Sequence, residues 1–198
     1  PRPPITTLFP YTTLFRSDTP KSESDFSEMV SIVRRSLFFD SDIKNYLKSL
    51  PIGEIFVARE KEKMVGVMVI RKKGGIFADH DIKIGDLNLK DFKEAEVGEV
   101  AMIAVLPKFR KRGVGELLYK KGEEELILAG SRASVAFSWS GSPDSSSEKF
   151  FEKMGYRKIS VIERAWEEYS GELGEKNYRC VKCKNPCYCD AGVMIKEF

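Results

Sequence analysis

Residues 99–115 read Glu99-Val100-Ala101-Met102-Ile103-Ala104-Val105-Leu106-Pro107-Lys108-Phe109-Arg110-Lys111-Arg112-Gly113-Val114-Gly115. A run of small and β-branched residues stops at Pro107, a basic turn follows, and two glycines open a pattern with helical spacing. The stretch is a strand that delivers the chain to a helix N-terminus. There the first backbone N–H groups lack helical partners and the dipole leaves roughly half a positive charge, so an anion can settle. Gly113 and Gly115 let it approach the backbone closely. Arg110, Lys111 and Arg112 add side-chain charge that suits a pyrophosphate better than a single carboxylate. The three-glycine spacing of a dinucleotide fingerprint is absent, as is the Gly-Lys-Ser/Thr of a Walker loop. The ligand class indicated is a polyphosphate cofactor.

The whole chain of 198 residues is long enough for one well-buried domain and a small appendage. A net charge of +3 is too small to argue for a nucleic-acid partner. No apolar run approaches the ~18 residues that span a bilayer, so no membrane segment is expected and a cytoplasmic location follows as the expectation. The four cysteines all fall in the last tenth of the chain, which suggests a local metal site rather than disulfides spread through a secreted fold.

Arg110-x-x-Gly113-x-Gly115, preceded by a strand ending Ala104-Val105-x-Pro107, resembles the acetyl-CoA-binding motif of the GNAT family of N-acetyltransferases. A second anchor lies downstream. Asp144 stands as a polar helix cap eleven residues before Gly155, in the ending Phe150-Phe151-Glu152-Lys153-Met154-Gly155-Tyr156, and Ser147 falls where the family often has a small hydroxyl. The resemblance covers residues 18–166. It implies an α/β (α+β) fold with a mixed, mostly antiparallel central sheet flanked by helices, in which the family's strands 4 and 5 splay apart. It implies further that Ile103, Ala104 and Val105 hold the pantetheine and acetyl group, and that Arg110, Lys111, Arg112, Gly113, Val114 and Gly115 hold the pyrophosphate, with Asp144 and Ser147 nearby. A strand-4 N–H would polarise the thioester carbonyl.

The remaining segments fit around these anchors. Residues 7–17 read like one frame of a common sequencing adapter, so residues 1–17 are set aside from fold reasoning. Their apolar and β-branched tail, residues 12–18, occupies the place of the family's first strand and can serve as a surrogate for it. Asp25 with Glu28 caps a helix carrying Phe26, Met29, Val30, Val33 and Leu37 on one face. A second helix over residues 41–50 ends at Pro51. In the family this pair lies over the substrate groove. Strands follow at residues 55–58 and 64–70. The long connection at residues 76–97 holds the only histidine, His80, either a substrate-binding or proton-transfer group or part of a solvated acidic turn. Val114, Leu117, Leu118, Gly122 and Leu126 share a helix face, with Glu123, Glu124 and Glu125 in solvent. Strands are expected at residues 133–139 and 157–164, a linker at residues 166–178, and a returning last strand through Val193-Met194-Ile195.

For amine acetylation a base must remove the ammonium proton. Glu99 is the candidate, because strand alternation places it with Ala101, Ile103 and Val105; Glu96 is the reserve, and a solvent-facing charge is the plainer reading. The family's usual Tyr acid corresponds to Phe151, which has no proton to give. Tyr156 and Tyr119 are the nearby phenols.

Cys180-x-x-Cys183-x-x-x-Cys187-x-Cys189 places four thiolates within ten residues. They can wrap one tetrahedral ion, with structural Zn2+ the first reading, an iron–sulfur cluster or free thiols the others. Three segments result: 1–17 as adapter-derived, 18–166 as the acetyltransferase domain, and 167–198 as a four-cysteine insertion with the last strand. The expected activity is acetyl-CoA-dependent transfer to an amine, small molecule or protein, by a monomer or homodimer. The alternative is a weakly catalytic module that binds CoA or a partner.

Overall fold

The computed structural model describes residues 15–39, 42–51, 53–72, 83–84, 87–88, 96–141, 146–170, 179–184 and 186–198. His80 and Asp144 lie outside them. The elements are β1 Phe15–Asp18, α1 Glu23–Ser36, β2 Phe38–Phe39, α2 Ile43–Ser49, β3 Ile55–Glu60, β4 Lys63–Arg71, β5 Lys83–Ile84, β6 Leu87–Asn88 and β7 Val97–Val105. A 3-10 turn at Pro107–Phe109 leads to α3 Val114–Leu128, β8 Ala133–Trp139, α4 Ser146–Lys153, β9 Arg157–Ile162, α5 Glu167–Ser170, β10 Arg179–Cys180 and β11 Ala191–Glu197.

Seven strands form one sheet in the order β1-β3-β4-β7-β8-β11-β9. Every neighbouring pair is antiparallel except β7 and β8, which run parallel. β4 is buried on both faces from Met64 to Ile70, so helices must cover both sides. α3 covers the face that carries Gly66, Met68 and Ile70: Cβ atoms at Gly66 and Gly122 would run into Leu118 and Met68 respectively. α1 and α2 cover the other face. β11 enters between β8 and β9 rather than at an edge.

Two readings of local sequence are corrected. The α1 cap is Ser22, not Asp25. Ser22 Oγ accepts the Asp25 N–H at 3.1 Å while the Asp25 carboxylate accepts the Ser22 N–H at 3.2 Å, a capping box one turn earlier than the charge pattern suggested. The same carboxylate also pairs with Arg59 on β3, which fixes α1 to the sheet. The second correction concerns the acidic run on α3. Glu123 pairs with Lys196, and Glu125 with Lys72 at 2.9 Å, so two of its three carboxylates join neighbouring elements.

Phe15, Arg16 and Ser17 belong to the adapter-like stretch, yet with Asp18 they form β1, antiparallel to β3 from Phe15↔Glu60 to Asp18↔Val57. Phe15 is buried and meets Phe109 edge to face at 6.5 Å. Residues 1–14 are outside the described set. Among the described residues no helix is long and apolar enough to cross a membrane.

Candidate functional site

The sheet opens at one place. β7 and β8 pair from Val97↔Ala133 to Val100↔Ala136 and no further, although β7 continues to Val105 and β8 to Trp139. The cause lies in β7. Its pairing with β4 passes from Val69↔Met102 to Ile70↔Val100, leaving Ala101 as an extra residue. A bulge of this kind bends its strand and sharpens the local twist. Beyond Val100 and Ala136 the two strands therefore diverge, and strand edges that a closed sheet would pair face a cleft.

α3 begins at the same end of β7. Leu117 is the first residue whose N–H closes a helical bond, to the Gly113 carbonyl at 2.9 Å; the N–H groups of Val114, Gly115 and Glu116 precede the ladder. Gly113 caps the helix at φ 83°, and a Cβ there would meet nothing within 4 Å. The position is glycine for its backbone angle and for open approach, not for internal crowding. Lys111 also has positive φ, at 57°.

The basic side chains of this turn do not all face outward. Arg110 Nε donates to the Val105 carbonyl at 3.1 Å and Arg110 Nη2 to the Ser36 carbonyl at 3.4 Å. Arg112 pairs with Glu60 at 2.8 Å and lies over the Phe15 and Phe109 rings. Arg110 thus holds the strand end and Arg112 holds β1 and the 3-10 turn in place. What remains at the turn for an anion is main-chain N–H and the exposed Lys111.

Glu99 lies one residue inside the point of divergence and is 1% exposed. The bulge corrects its predicted alignment. Simple alternation would put Glu99 with Ile103 and Val105, but those residues pair with Met68 and Gly66 on the α3 face. The extra residue at 101 reverses the parity, so Glu99 shares the opposite face with Met102 and Ala104, under α1 and α2. There Arg71, its cross-strand partner, approaches at 3.7 Å. Arg71 also donates to the Tyr46 hydroxyl on α2 at 3.1 Å. Burial alone would depress the Arg71 pKa, but Tyr46 and Glu99 outweigh it and the net shift is upward. The result is a buried carboxylate with a fixed cation and phenol beside it. Arg71 and Tyr46 were missed from sequence; the only available signal was a charge closing one strand and another opening its neighbour, which needs the register to be known. Glu96, in contrast, sits at the surface 3.9 Å from Arg132.

Phe151 is buried against Phe150 and Tyr156, with ring centroids 5.5 and 5.2 Å apart. Neither neighbouring phenol replaces it. The Tyr156 hydroxyl donates to Ser134 Oγ at 2.7 Å, and burial pushes its pKa up to about 12. The Tyr119 hydroxyl donates to Glu123 at 2.6 Å, and burial again drives its pKa far upward. Ser147 on α4 uses its Oγ to accept the Trp139 N–H at 3.2 Å. The following N–H, of Ser140, turns to Asp190 beside β11. The N–H of Trp139 therefore faces the side from which β7 has withdrawn, and Ser147 supplies the partner that β7 would have been.

The four cysteines carry free thiols, and their Sγ atoms all lie within 4.8 Å of one another. The closest separations are 3.0, 3.9, 3.9 and 4.0 Å. Zn–S bonds of about 2.3 Å require sulfurs about 3.8 Å apart in a tetrahedron, so the donor set fits one such ion. The Lys182 N–H donates to Cys180 Sγ at 3.4 Å, as expected around a thiolate ligand. Trp139 and Trp166 pack against the cluster.

Residues 18–156 match the Acetyltransferase (GNAT) family. An uncharacterized N-acetyltransferase of Chlorobaculum tepidum is 29% identical over 106 residues, which are 53% of this chain and 58% of the relative. The chain thus spans somewhat more than half of that curated relative. A mosquito arylalkylamine N-acetyltransferase-like protein superposes with a TM-score of 0.62 at 16% identity, covering 93% of this chain and 100% of the other. A Bacillus subtilis acetyltransferase solved in complex with CoA gives 0.62 at 15% identity, covering 93% and 99%. At such identities the structural likeness speaks for the fold.

Proposed function

This chain belongs to the GNAT acetyltransferase family, and from that premise we propose that it moves the acetyl group of acetyl-CoA to a primary amine. The observation that carries the reading is the coincidence, at one end of β7, of a cleft between two parted parallel strands and a helix N-terminus with free N–H groups. The backbone of Ile103, Ala104 and Val105 would border the pantetheine and acetyl group, and the N–H groups from Lys111 to Gly115, with the Arg110 N–H already given to Pro107, would meet the pyrophosphate. Acetyl-CoA supplies the activated thioester; the chain supplies position and proton transfer.

Glu99 is the base in this reading. Its carboxylate is buried on the α1 and α2 face, and Arg71 and Tyr46 hold it in place, so it can take the ammonium proton directly or through one water. No side chain is assigned as acid. The departing thiolate takes its proton from water, since Phe151 has none and the Tyr119 and Tyr156 hydroxyls are engaged elsewhere. That same fact favours a second reading, a CoA-binding module of low turnover. The cysteines would hold one Zn2+ as a closed set of four ligands, stabilising the C-terminal insertion without entering the reaction.

Calorimetry with acetyl-CoA, followed by thiol release against a panel of amines and peptides, tests both readings. Binding with amine-dependent thiol release supports the transferase. Binding without release supports the module, and absence of binding overturns both.

A further inference from the structure

The cysteine cluster is attached to both walls of the cleft. On the β7 side, Ser36 at the end of α1 donates through Oγ to the Val105 carbonyl at 3.3 Å and accepts from Arg110. The next carbonyl, of Leu37, accepts the Val181 N–H at 3.3 Å, and β2 then pairs with β10, with Phe38 opposite Cys180. Cys180 is therefore fastened to the end of β7 through α1 and β2.

On the β8 side the fastening is equally direct. The Trp139 indole packs against the cysteine cluster, with its Nε1 and Cys189 Sγ both lying against Gly141. A Cβ at Gly141 would lie 2.5 Å from that sulfur, so the turn after β8 presses on it. Ser140 donates to the Asp190 carbonyl at 3.1 Å, and β11 begins at the next residue, paired along β8 from Ala191↔Trp139. Cys189 thus belongs to the β8 wall, and its sulfur lies 3.9 Å from that of Cys180. Trp139 alternates with Val135, the partner of Glu99, so the junction lies on the sheet face that carries Glu99.

We propose that Zn2+ bound by Cys180, Cys183, Cys187 and Cys189 acts as a clasp across the open end of the β7–β8 cleft, fixing the spacing of its walls on the Glu99 face. This rests on the zinc reading above and adds to it. A metal that only folded its own loop would need no ligand on either wall. Here one ligand, Cys180, closes β10, which is paired to the segment leaving α1, and another, Cys189, stands two residues before β11. Occupancy of the metal therefore sets how firmly the wall beyond Val100 is held relative to the wall beyond Ala136. The phosphate turn, anchored by Gly113 and Arg112 at the far side of Pro107, does not depend on it.

Hydrogen exchange on the full chain, loaded with Zn2+ and after chelation, tests the clasp, with zinc content measured in parallel. The expected result is one zinc per chain, and on its removal about tenfold faster exchange at Phe38, Phe39 and Ser140, with α3 and the β3–β4 pair unchanged. Zinc binding with exchange altered only within residues 179–190 overturns the clasp and leaves the metal site standing. Failure to take up Zn2+ overturns the metal reading and the clasp with it. If chelation unfolds the whole chain, Trp139→Phe in the zinc-loaded protein supplies a second readout. Zinc content should then stay at one per chain while Ser140 exchange rises; unchanged exchange at Ser140 overturns the proposal.

Discussion

The two ends of β7 are built on different principles. At its C-terminal end the chain turns through Pro107 and Gly113 into α3, and the groups offered to a ligand are main-chain N–H groups set by local backbone angles. At its N-terminal end Glu99 gets its surroundings from elsewhere: Arg71 from β4, Tyr46 from α2, and its facing from the extra residue at Ala101. The first end is tolerant of side chains and intolerant of backbone change. The second has the reverse sensitivity, because a buried carboxylate depends on each partner that offsets its desolvation.

Substitutions can sharpen or break that contrast. Glu99→Gln preserves shape and removes the proposed base; kcat/KM should fall about 10³-fold, some 4 kcal/mol of barrier, while calorimetric acetyl-CoA affinity stays within error. A parallel loss of CoA affinity would break the division between the two ends. Asp25→Ala removes both a capping-box acceptor and the partner of Arg59, whose side chain is only 11% exposed. Denaturant titration should show a loss of about 3 kcal/mol.

The same group predicts a pH effect. Burial would raise the Asp25 pKa, but the Lys21 N–H and the Arg59 guanidinium outweigh it and hold the carboxyl below its ordinary 3.8. Its stabilisation is present above that value and is lost as pH falls through the lower folded one. Wild type should therefore lose stability below about pH 4 more steeply than Asp25→Asn, as thermal melts would report.

Gly113→Glu tests the backbone-built end. It forces a side chain into φ 83°, at about 1–2 kcal/mol, and places a like charge beside the proposed phosphate site, so acetyl-CoA affinity should drop about 100-fold. Unchanged affinity would remove the phosphate assignment. Deleting residues 1–17 strips most of β1 from β3 and exposes the pocket of Phe15; a loss of about 2 kcal/mol and a fall in Tm of a few degrees should follow. An unchanged Tm would mean that the adapter-like strand contributes nothing. Arg112→Gln should do least to binding, about threefold, since its guanidinium is engaged with Glu60 and two aromatic rings. A hundredfold loss there would show that side-chain charge, not main-chain N–H, dominates the turn.

Much of this architecture is written locally. Pro107, the basic turn and the paired glycines announce a strand-to-helix junction because proline stops a strand and glycine permits a positive φ wherever they stand. The four cysteines announce a cluster through spacing alone, and the near-continuous apolar runs of β3, β4 and β8 mark a sheet buried on both faces. The Ser22 cap was equally local, but Asp25 competed for the part: its bonds to the Lys21 and Ser22 N–H groups make it the third helical residue of a capping box, while its pairing with Arg59 needs the sheet.

What the sequence determined by itself was the family, the strand-to-helix turn and the cysteine cluster, since each depends on residues a few positions apart. Tertiary structure alone decided where they point. One surplus residue at Ala101 reverses the side chains of half a strand, and no local pattern registers such a bulge because its cost is recovered in the pairing with β4. Arg110 and Arg112 turn inward for the same reason: their partners, Val105, Ser36, Glu60 and Phe15, come from as far as 97 residues away in the chain, by the difference between 112 and 15. The junction of Cys180 with one cleft wall and Cys189 with the other likewise exists only because β11 enters the sheet beside β8 and β10 pairs with β2.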